Sequence, residues 1–516
     1  MKRRDFIKTL AVSGAGAALT LNSIPIKALG FNSVLSKICS PFVDTDKVLV
    51  VIQLLGGNDG LNTIIPYQDG MYYTRRPNLG IPSGQVLSLP NTTMGLHPAM
   101  SDLKNLFVDN KIAIVQNVGY PNPNFSHFRA TDIWHTASNS NQYFTTGWLG
   151  RYLKEEYPNY PNTLPPDPMA IQIGVSASLS LMSQAGDMAL TFQDPNQFYQ
   201  LVQGTNYNGY EKVKTLAGPE LDFARRVAAD SLQYATRVRD ASLNGQNMAT
   251  YPANNSLADQ LKIVARLIDG GLQTRLYVVT ISGFDTHTQQ LNTHNTLLSR
   301  VNGAINAFYT DLNLNGISNR VVGMTLSEFG RRVTENGSVG SDHGTAAPMM
   351  LFGDLVNGSM YGNNPDLVNL NGGNLIYQYD YRQVYASVLK QLFAATDQEL
   401  LNVLVNQYQT LPLIVPQKSN GSQPKNETFS LSQNYPNPFN PSTEITYTLK
   451  AESNVTIKIF DASGREVQTL VNERKQSGIH KVIFDVTGRK HLASGVYFYK
   501  LVTDGYSDVK KMILVK

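Results

Sequence analysis

Carboxylate, imidazole and hydroxyl side chains gather in this sequence just behind apolar runs, where a strand exit would hold them together. Val48–Leu55 runs into Gly56-Gly57-Asn58-Asp59-Gly60, whose glycines allow a sharp turn that presents Asp59 at a strand end. Asp59 is there either as a turn residue or as an oxygen ligand. The spacing of GxGxxG and Walker loops is absent, so a phosphate-cradling loop is not indicated. Residues 276–281 lead into Ser282-Gly283-Phe284-Asp285-Thr286-His287. Asp285 and His287 could face one hard or borderline divalent ion with an oxygen and a nitrogen donor. The alternative is a helix-capping Asp followed by a surface His. Val321–Leu326 ends in Ser327-Glu328-Phe329-Gly330-Arg331-Arg332, and Gly340-Ser341-Asp342-His343-Gly344 follows. Glu328, Asp342 and His343 exceed what a turn needs, while Arg331 and Arg332 either bind an anionic ester or pair with those carboxylates. Between Asn124 and His135, Ser126 is either a nucleophile activated by metal or base, or a plain helix cap. His127, Thr131 and His135 share one face if this stretch is helical.

These groups need rigid elements to position them. Val48–Leu55, Val321–Leu326 and residues 112–118 and 276–281 are apolar runs suited to buried parallel strands. Residues 221–241, 255–272, 288–312 and 381–395 carry helical spacing. Alternation of this kind predicts an α/β domain over residues 47–411, with a mostly parallel central sheet flanked by helices. In such sheets the crevice for chemistry lies at the carboxyl ends of the strands, where the polar clusters fall.

The chain has 516 residues, enough for a large core plus an accessory domain. Its formal charge of +4 equals the excess of 12 Lys/Arg over 8 Asp/Glu within residues 429–516. The central part is near neutral, which argues against a nucleic-acid partner. No run is apolar over the roughly 18 residues that a transmembrane helix requires. The single cysteine, Cys39, cannot form an internal disulfide. Residues 1–30 read as a signal peptide: Lys2-Arg3-Arg4-Asp5-Phe6-Ile7-Lys8 precedes a mild apolar run and resembles a twin-arginine export motif. Residues 412–428 are polar and rich in turn formers, as a linker is. Beyond them, short alternating segments such as 444–449, 455–460, 481–486 and 495–501 predict a small all-β sandwich over 429–516.

The residues of that tail are more specific than their rhythm. Gln433-Asn434-Tyr435-Pro436-Asn437-Pro438-Phe439-Asn440-Pro441-Ser442-Thr443 closely resembles the entry motif of type IX secretion sorting domains. The resemblance continues through Ile459-Phe460-Asp461 and Gly495-Val496-Tyr497 to the C-terminal Lys510–Lys516. It implies recognition by the type IX secretion machinery and a secreted or outer-surface location, reached through the periplasm.

The central motifs also form a family pattern. Leu55-Gly56-Gly57-Asn58-Asp59-Gly60-Leu61-Asn62, Ser126-His127-Phe128, Gly147-Trp148-Leu149-Gly150-Arg151, Gly283-Phe284-Asp285-Thr286-His287, Ser327-Glu328-Phe329-Gly330-Arg331 and Asp342-His343-Gly344 resemble, in order, the hallmarks of the domain-of-unknown-function 1501 family. That family is placed with alkaline phosphatase and sulfatase-like enzymes. The resemblance therefore implies an alkaline phosphatase-like fold and metal-dependent hydrolysis of phosphate or sulfate esters. Carried over by position, Asp59 is the first-strand metal ligand and Ser126 the nucleophile. Asp285 and His287 match the later ligand pair, at tighter spacing than in relatives. Glu328 takes the Asp position of an Asp-His pair whose histidine is Phe329 here. His343 is the final histidine and Asp342 an added ligand; beside these, Arg129, Arg331 or Arg332 is the cation expected to neutralise substrate oxygens. The implied cofactor is a divalent metal (Zn, Mn, Mg or Ca), and Asp285, His287 and His343 suffice for one site. The implied substrate is a small anionic ester or a glycan. The other reading is a non-catalytic surface protein with a degenerate site. It is favoured if Asp59, Ser126, Asp285, Glu328 and His343 fail to converge.

Overall fold

The computed structural model describes residues 46–160, 164–203, 234–415 and, with short breaks, 430–515, together with two-residue strands at Thr20–Leu21 and Ile24–Pro25. The expected export signal, Cys39 and the linker from residue 416 onward lie outside the described residues, as does the expected helix at 221–233. The chain divides into two compact units, the larger spanning Pro41–Pro416 and the smaller containing Gln417–Lys516.

The larger unit is built on one nine-stranded sheet. Its strands are β1 (Val48–Leu55), β2 (Ile112–Gly119), β3 (Ala170–Ile173), β4 (Ala189–Phe192), β5 (Leu276–Ser282), β6 (Val321–Leu326), β7 (Ala347–Phe352) and β8 (Ser359–Tyr361). They lie in the order β4-β3-β5-β1-β6-β7-β2-β8, and Tyr379–Asp380 adds a further parallel pairing to β2. Every pairing is parallel except the two made by β7. β1 is central, with Val51 in register with Val278 on β5 and with Met324 on β6.

The continuous apolar run of β1 has a physical cause, since both faces of the sheet are covered. Val48, Val50, Ile52 and Leu54 face a core shared with helices α1 (Ser101–Val108), α4 (Ser256–Asp269) and α5 (Gln290–Leu314). Leu49 and Val51 face the opposite core, shared with α2 (His127–Thr136), α3 (Trp148–Glu156) and α6 (Tyr381–Phe393). Alternate strand residues point to opposite faces, so a two-sided core demands apolar residues at both parities. Gln53 breaks the run, and its buried amide is hydrogen-bonded to the His135 ring. The expected α/β class is thus the observed one, with three layers.

The smaller unit carries strands β9 (Ser442–Leu449), β10 (Ser453–Asp461), β11 (Glu466–Lys475), β12 (Gly478–Asp485), β13 (Gly495–Val502) and β14 (Ser507–Leu514). A three-stranded sheet contains β9 and β12, and a four-stranded sheet runs β11-β10-β13-β14. Ile445, Tyr447, Ile457, Ile459, Phe484, Tyr499 and Leu501 share its core. β11 and β14 are the edges of their sheet and are rich in charge, as edges must be to resist pairing with other chains. That is why their hydrophobic alternation is weak in the sequence. One linker boundary is also corrected. Leu413 and Ile414 are buried in the larger unit, and Ile414 bridges Val356, because these apolar residues complete a core edge.

Three buried histidines give the larger unit an acid-labile core. Burial holds His97 and His135 down at about 4 and His294 at about 3, against an ordinary 6.5. Below pH 6.5 the unfolded chain takes up protons that the folded chain refuses. Stability is therefore full above pH 6.5 and is lost as pH falls toward 4, by up to ~1.4 kcal/mol per pH unit for each histidine. Thermal unfolding followed by circular dichroism should show this slope, and His294→Gln should flatten it. An unchanged slope would contradict the assignment.

Candidate metal centre

The carboxyl ends of β1, β2, β5 and β6 open on the same side of the sheet, because these strands all run in one direction. Each delivers one of the polar segments. The turn after β1 passes Gly56 and Gly57, both with positive φ. A side chain at Gly56 would strike the backbone of Phe284 and Asp285, and one at Gly57 would strike the Phe329 ring. The close approach of three strand exits thus depends on these two glycines.

Arg331 binds those exits together. Its guanidinium is fully buried and donates to the carbonyls of Gly56, Gly57, Phe284 and Ser341, and to Asp285 Oδ1 at 2.7 Å. All three nitrogens are engaged and buried, so the catalytic, substrate-facing role expected for Arg331 is corrected to a positioning one. Partial burial pushes the Asp285 carboxyl up, but the Arg331 guanidinium hydrogen-bonded to it outweighs this and brings it to about 2.

Asp285 is the focus of three imidazoles. His287 Nε2 lies 3.0 Å and His343 Nε2 3.2 Å from Asp285 Oδ1, and His127 Nε2 lies 3.4 Å from Oδ2. The other ring nitrogen of each histidine is tied. His127 Nδ1 meets Glu328 Oε1 at 2.8 Å, His287 Nδ1 meets Asp342 Oδ1 at 3.1 Å, and His343 Nδ1 donates to the Phe125 carbonyl at 2.7 Å. An N–H at Nδ1 leaves a lone pair on Nε2 of a neutral ring. These lone pairs point at a carboxylate, and the His287 and His343 Nε2 atoms stand only 2.9 Å apart. His127 Nε2 is buried without a hydrogen-bond partner. Lone pairs so crowded repel unless a cation lies among them. Carboxylate or carbonyl partners on the outer nitrogen are also what orient metal-binding histidines. The donor atoms of His127, Asp285 and His343 all lie within 4.8 Å of one another, so these residues could hold a metal ion.

The expected residues sort as follows. Asp285, His287 and His343 converge, with Asp342 and Glu328 behind the imidazoles. Glu328 is buried and also accepts from the Gly56 amide, so it orients His127 and does not face the focus. Ser126 precedes α2, is exposed, and makes no capping bond with its hydroxyl. It follows Phe125, whose carbonyl holds His343. Asp59 departs from expectation. Its carboxylate is fully buried, caps the short helix Gly60–Thr63, and is held by Arg76 Nη1 and Gln290 Nε2. Burial raises its pKa and Arg76 overrides this, leaving it lowered. With both oxygens so engaged, it cannot serve as the expected ligand. His127 is the converse case. Only the Ser-His-Phe motif at the exit of β2 hints at it, because its partners Asp285 and Glu328 are remote in sequence. Phe329 fills the position expected of a histidine, its ring packed on His127 and His343 at 4.9 and 4.5 Å.

Residues 46–403 match the family model described as "Protein of unknown function (DUF1501)". The chain belongs to the DUF1501 family. Its residues 433–516 match the secretion system C-terminal sorting domain, which makes this DUF1501 protein a secreted or outer-surface one. Among the described residues, no helix is long and apolar enough to cross a membrane. No curated protein matches the chain.

Similar solved structures include a protein in the alkaline phosphatase superfamily from Vibrio parahaemolyticus, with 8% identity, 93% of this chain and 88% of that chain covered, and TM-score 0.35. The phosphonate monoester hydrolase SpPMH from Silicibacter pomeroyi shares 8% identity, over 87% of this chain and 90% of that chain, with TM-score 0.30. Latent PorU from Porphyromonas gingivalis is 24% identical, over 17% of this chain and only 9% of that chain, with TM-score 0.15. At such scores, assignment of the centre rests on its own side chains.

Glu328→Gln should weaken binding of a divalent ion by about 10–100-fold, since it disturbs only the group behind His127. Asp285→Asn should weaken it further. Calorimetric titration of Zn and Mn into chelator-treated protein measures both. Equal affinity in all three proteins would contradict a centre built on Asp285.

Proposed function

We propose that the DUF1501 unit is a metal-dependent hydrolase of phosphate or sulfate esters, acting after export. The observation that carries this reading is the convergence of three imidazole Nε2 atoms on Asp285, and Ser126, which precedes His127 in the chain and makes no capping bond with its hydroxyl, is the nucleophile we assign to it. His127, Asp285, His287 and His343 would hold the ion, which we take to be divalent (Zn, Mn, Mg or Ca). When bound, it lowers the pKa of an oxygen nucleophile and offsets negative charge in the transition state.

The chain's own groups supply the rest. Arg331 keeps Asp285 ionised and in place. Glu328 and Asp342 hold protons on the Nδ1 atoms of His127 and His287, so that Nε2 faces inward. Ser126 presents its hydroxyl at the rim as the nucleophile. Electrostatics make the cation essential. Asp285, Glu328 and Asp342 outnumber the cations beside them, Arg331 at Asp285 and Arg332 near Asp342, so an anionic ester is repelled from the bare centre. Arg129 directs Nη2 to the carbonyls of Asn139, Ser140 and Gln142 and stacks on Tyr143. In this reading residues 1–30 direct export to the periplasm, and the tail engages the type IX machinery.

Three observations favour a second reading, in which a single ion is bound without turnover and the unit serves as a surface binder: Asp59 is held away by Arg76 and Gln290, Glu328 sits behind His127, and Phe329 stands in the histidine position. Release of 4-nitrophenol from its phosphate and sulfate esters decides between them. Turnover should vanish with chelator, return with one of the four ions, and fall roughly 100-fold or more in Ser126→Ala. Asp285→Ala with His343→Ala should abolish it. Turnover insensitive to these changes, or none with any ion, would sink the hydrolase.

A further inference from the structure

Around the start of α2, which bears His127, three large aromatic side chains are exposed. Phe128, next to His127 on the first turn of α2, is 88% exposed, and Tyr143 is 79% exposed. Phe125, whose carbonyl holds His343, is 39% exposed. Isolated surface aromatics need no explanation, but three within the one segment that also supplies His127 do.

The neighbourhood is organised. Arg129, one residue beyond Phe128, places its guanidinium 3.9 Å from the centre of the Tyr143 ring. Its Nη2 donates to the carbonyls of Asn139, Ser140 and Gln142, which fixes the turn that carries Tyr143. One face of Tyr143 is thus backed by a cation. The exposed residues between are amides and hydroxyls: Asn122, Ser126, Asn139, Asn141, Gln142 and Thr145. Within residues 121–146 the charged side chains are Arg129 and Asp132 alone, and Arg129 is already engaged.

This composition discriminates among occupants. A membrane surface would call for lysines and arginines around the apolar residues. A protein partner would call for a contiguous apolar patch closed by a rim. Aromatic faces set among neutral amides and hydroxyls instead match an occupant with flat C–H faces and a fringe of hydroxyls. Such an occupant is a sugar ring. We infer that the Phe125–Phe128–Tyr143 rim binds a saccharide of the glycan whose ester group enters the metal centre. The inference rests on the hydrolase reading for the ester and on the rim alone for the sugar. It also fits a protein that meets its substrates outside the cell, where polysaccharides are abundant.

Native affinity electrophoresis of the exported chain tests it, in gels containing chondroitin sulfate, carrageenan, their desulfated forms, or dextran. At least one glycan should retard the protein. Phe128→Ala combined with Tyr143→Ala should weaken the apparent Kd by about tenfold or more, and Phe128→Trp should retain it. Asp285→Ala should keep the retardation by a desulfated form, because the sugar contact does not need the centre. Retardation by none of these glycans, or equal retardation of the double alanine variant, overturns the proposal. So does retention on anionic phospholipid vesicles without glycan retardation, which would make the rim a membrane contact. Turnover of 4-nitrophenyl esters without any glycan retardation defeats the rim and leaves the hydrolase. Rim-dependent retardation without turnover of any ester does the reverse.

Discussion

A single buried guanidinium, that of Arg331, holds the exits of β1, β5 and the β6–β7 connection against one another. It reaches the carbonyls of Gly56, Gly57, Phe284 and Ser341 and the carboxylate of Asp285 at once. A buried charge deprived of its partners costs about 3–5 kcal/mol. None of these loops can therefore drift without penalty, and Asp285 is set where the imidazoles meet. A lysine could not replace this arginine, because only a planar fork reaches several acceptors in different directions.

Below this clamp lies a second buried layer. Arg76 pairs with Asp59 and donates to the carbonyls of Arg332 and Val333. Gln290 donates to Asp59 and accepts from Ser341 Oγ, the residue before Asp342 and His343. The connection from β6 to β7 is thereby tied on both sides, through Arg331 above and through Asp59 and Gln290 beneath. An acidic residue that resembles a metal ligand in sequence thus acts as a foundation for the loops that carry Asp342 and His343. Its lowered pKa, caused by Arg76 against the effect of burial, belongs to structure and not to chemistry.

The two units separate destination from activity. The tail is an independent β-sandwich with its own core and with charged edges, and it belongs to a sorting family. The α/β unit holds every candidate for chemistry. The sorting domain places that unit outside the cell or on its surface. An electron-rich set of imidazoles and carboxylates is suited to capture a cation there.

Much of this was legible in the sequence, because strand and helix periodicity are local properties. The central strands, the later helices, and the clustering of polar residues at strand exits follow from apolar runs and from what comes after them. Asp285, His287 and His343 could be chosen as candidates on residue type, but a capping Asp followed by a surface His fits the local pattern as well. The roles of Asp59, Arg331 and His127 could not be chosen so. Asp59 meets Gln290 across 231 residues, Arg331 meets the Gly57 carbonyl across 274, and His127 meets Glu328 across 201. A carboxylate is a ligand or an anchor according to whether its oxygens are already taken. An arginine binds substrate or backbone according to whether it is buried. Residue type and spacing determined the fold class, the sorting tail and the inventory of donors. The packing of distant strand exits decided which donors face one another, because only proximity in space sets hydrogen bonds and charge.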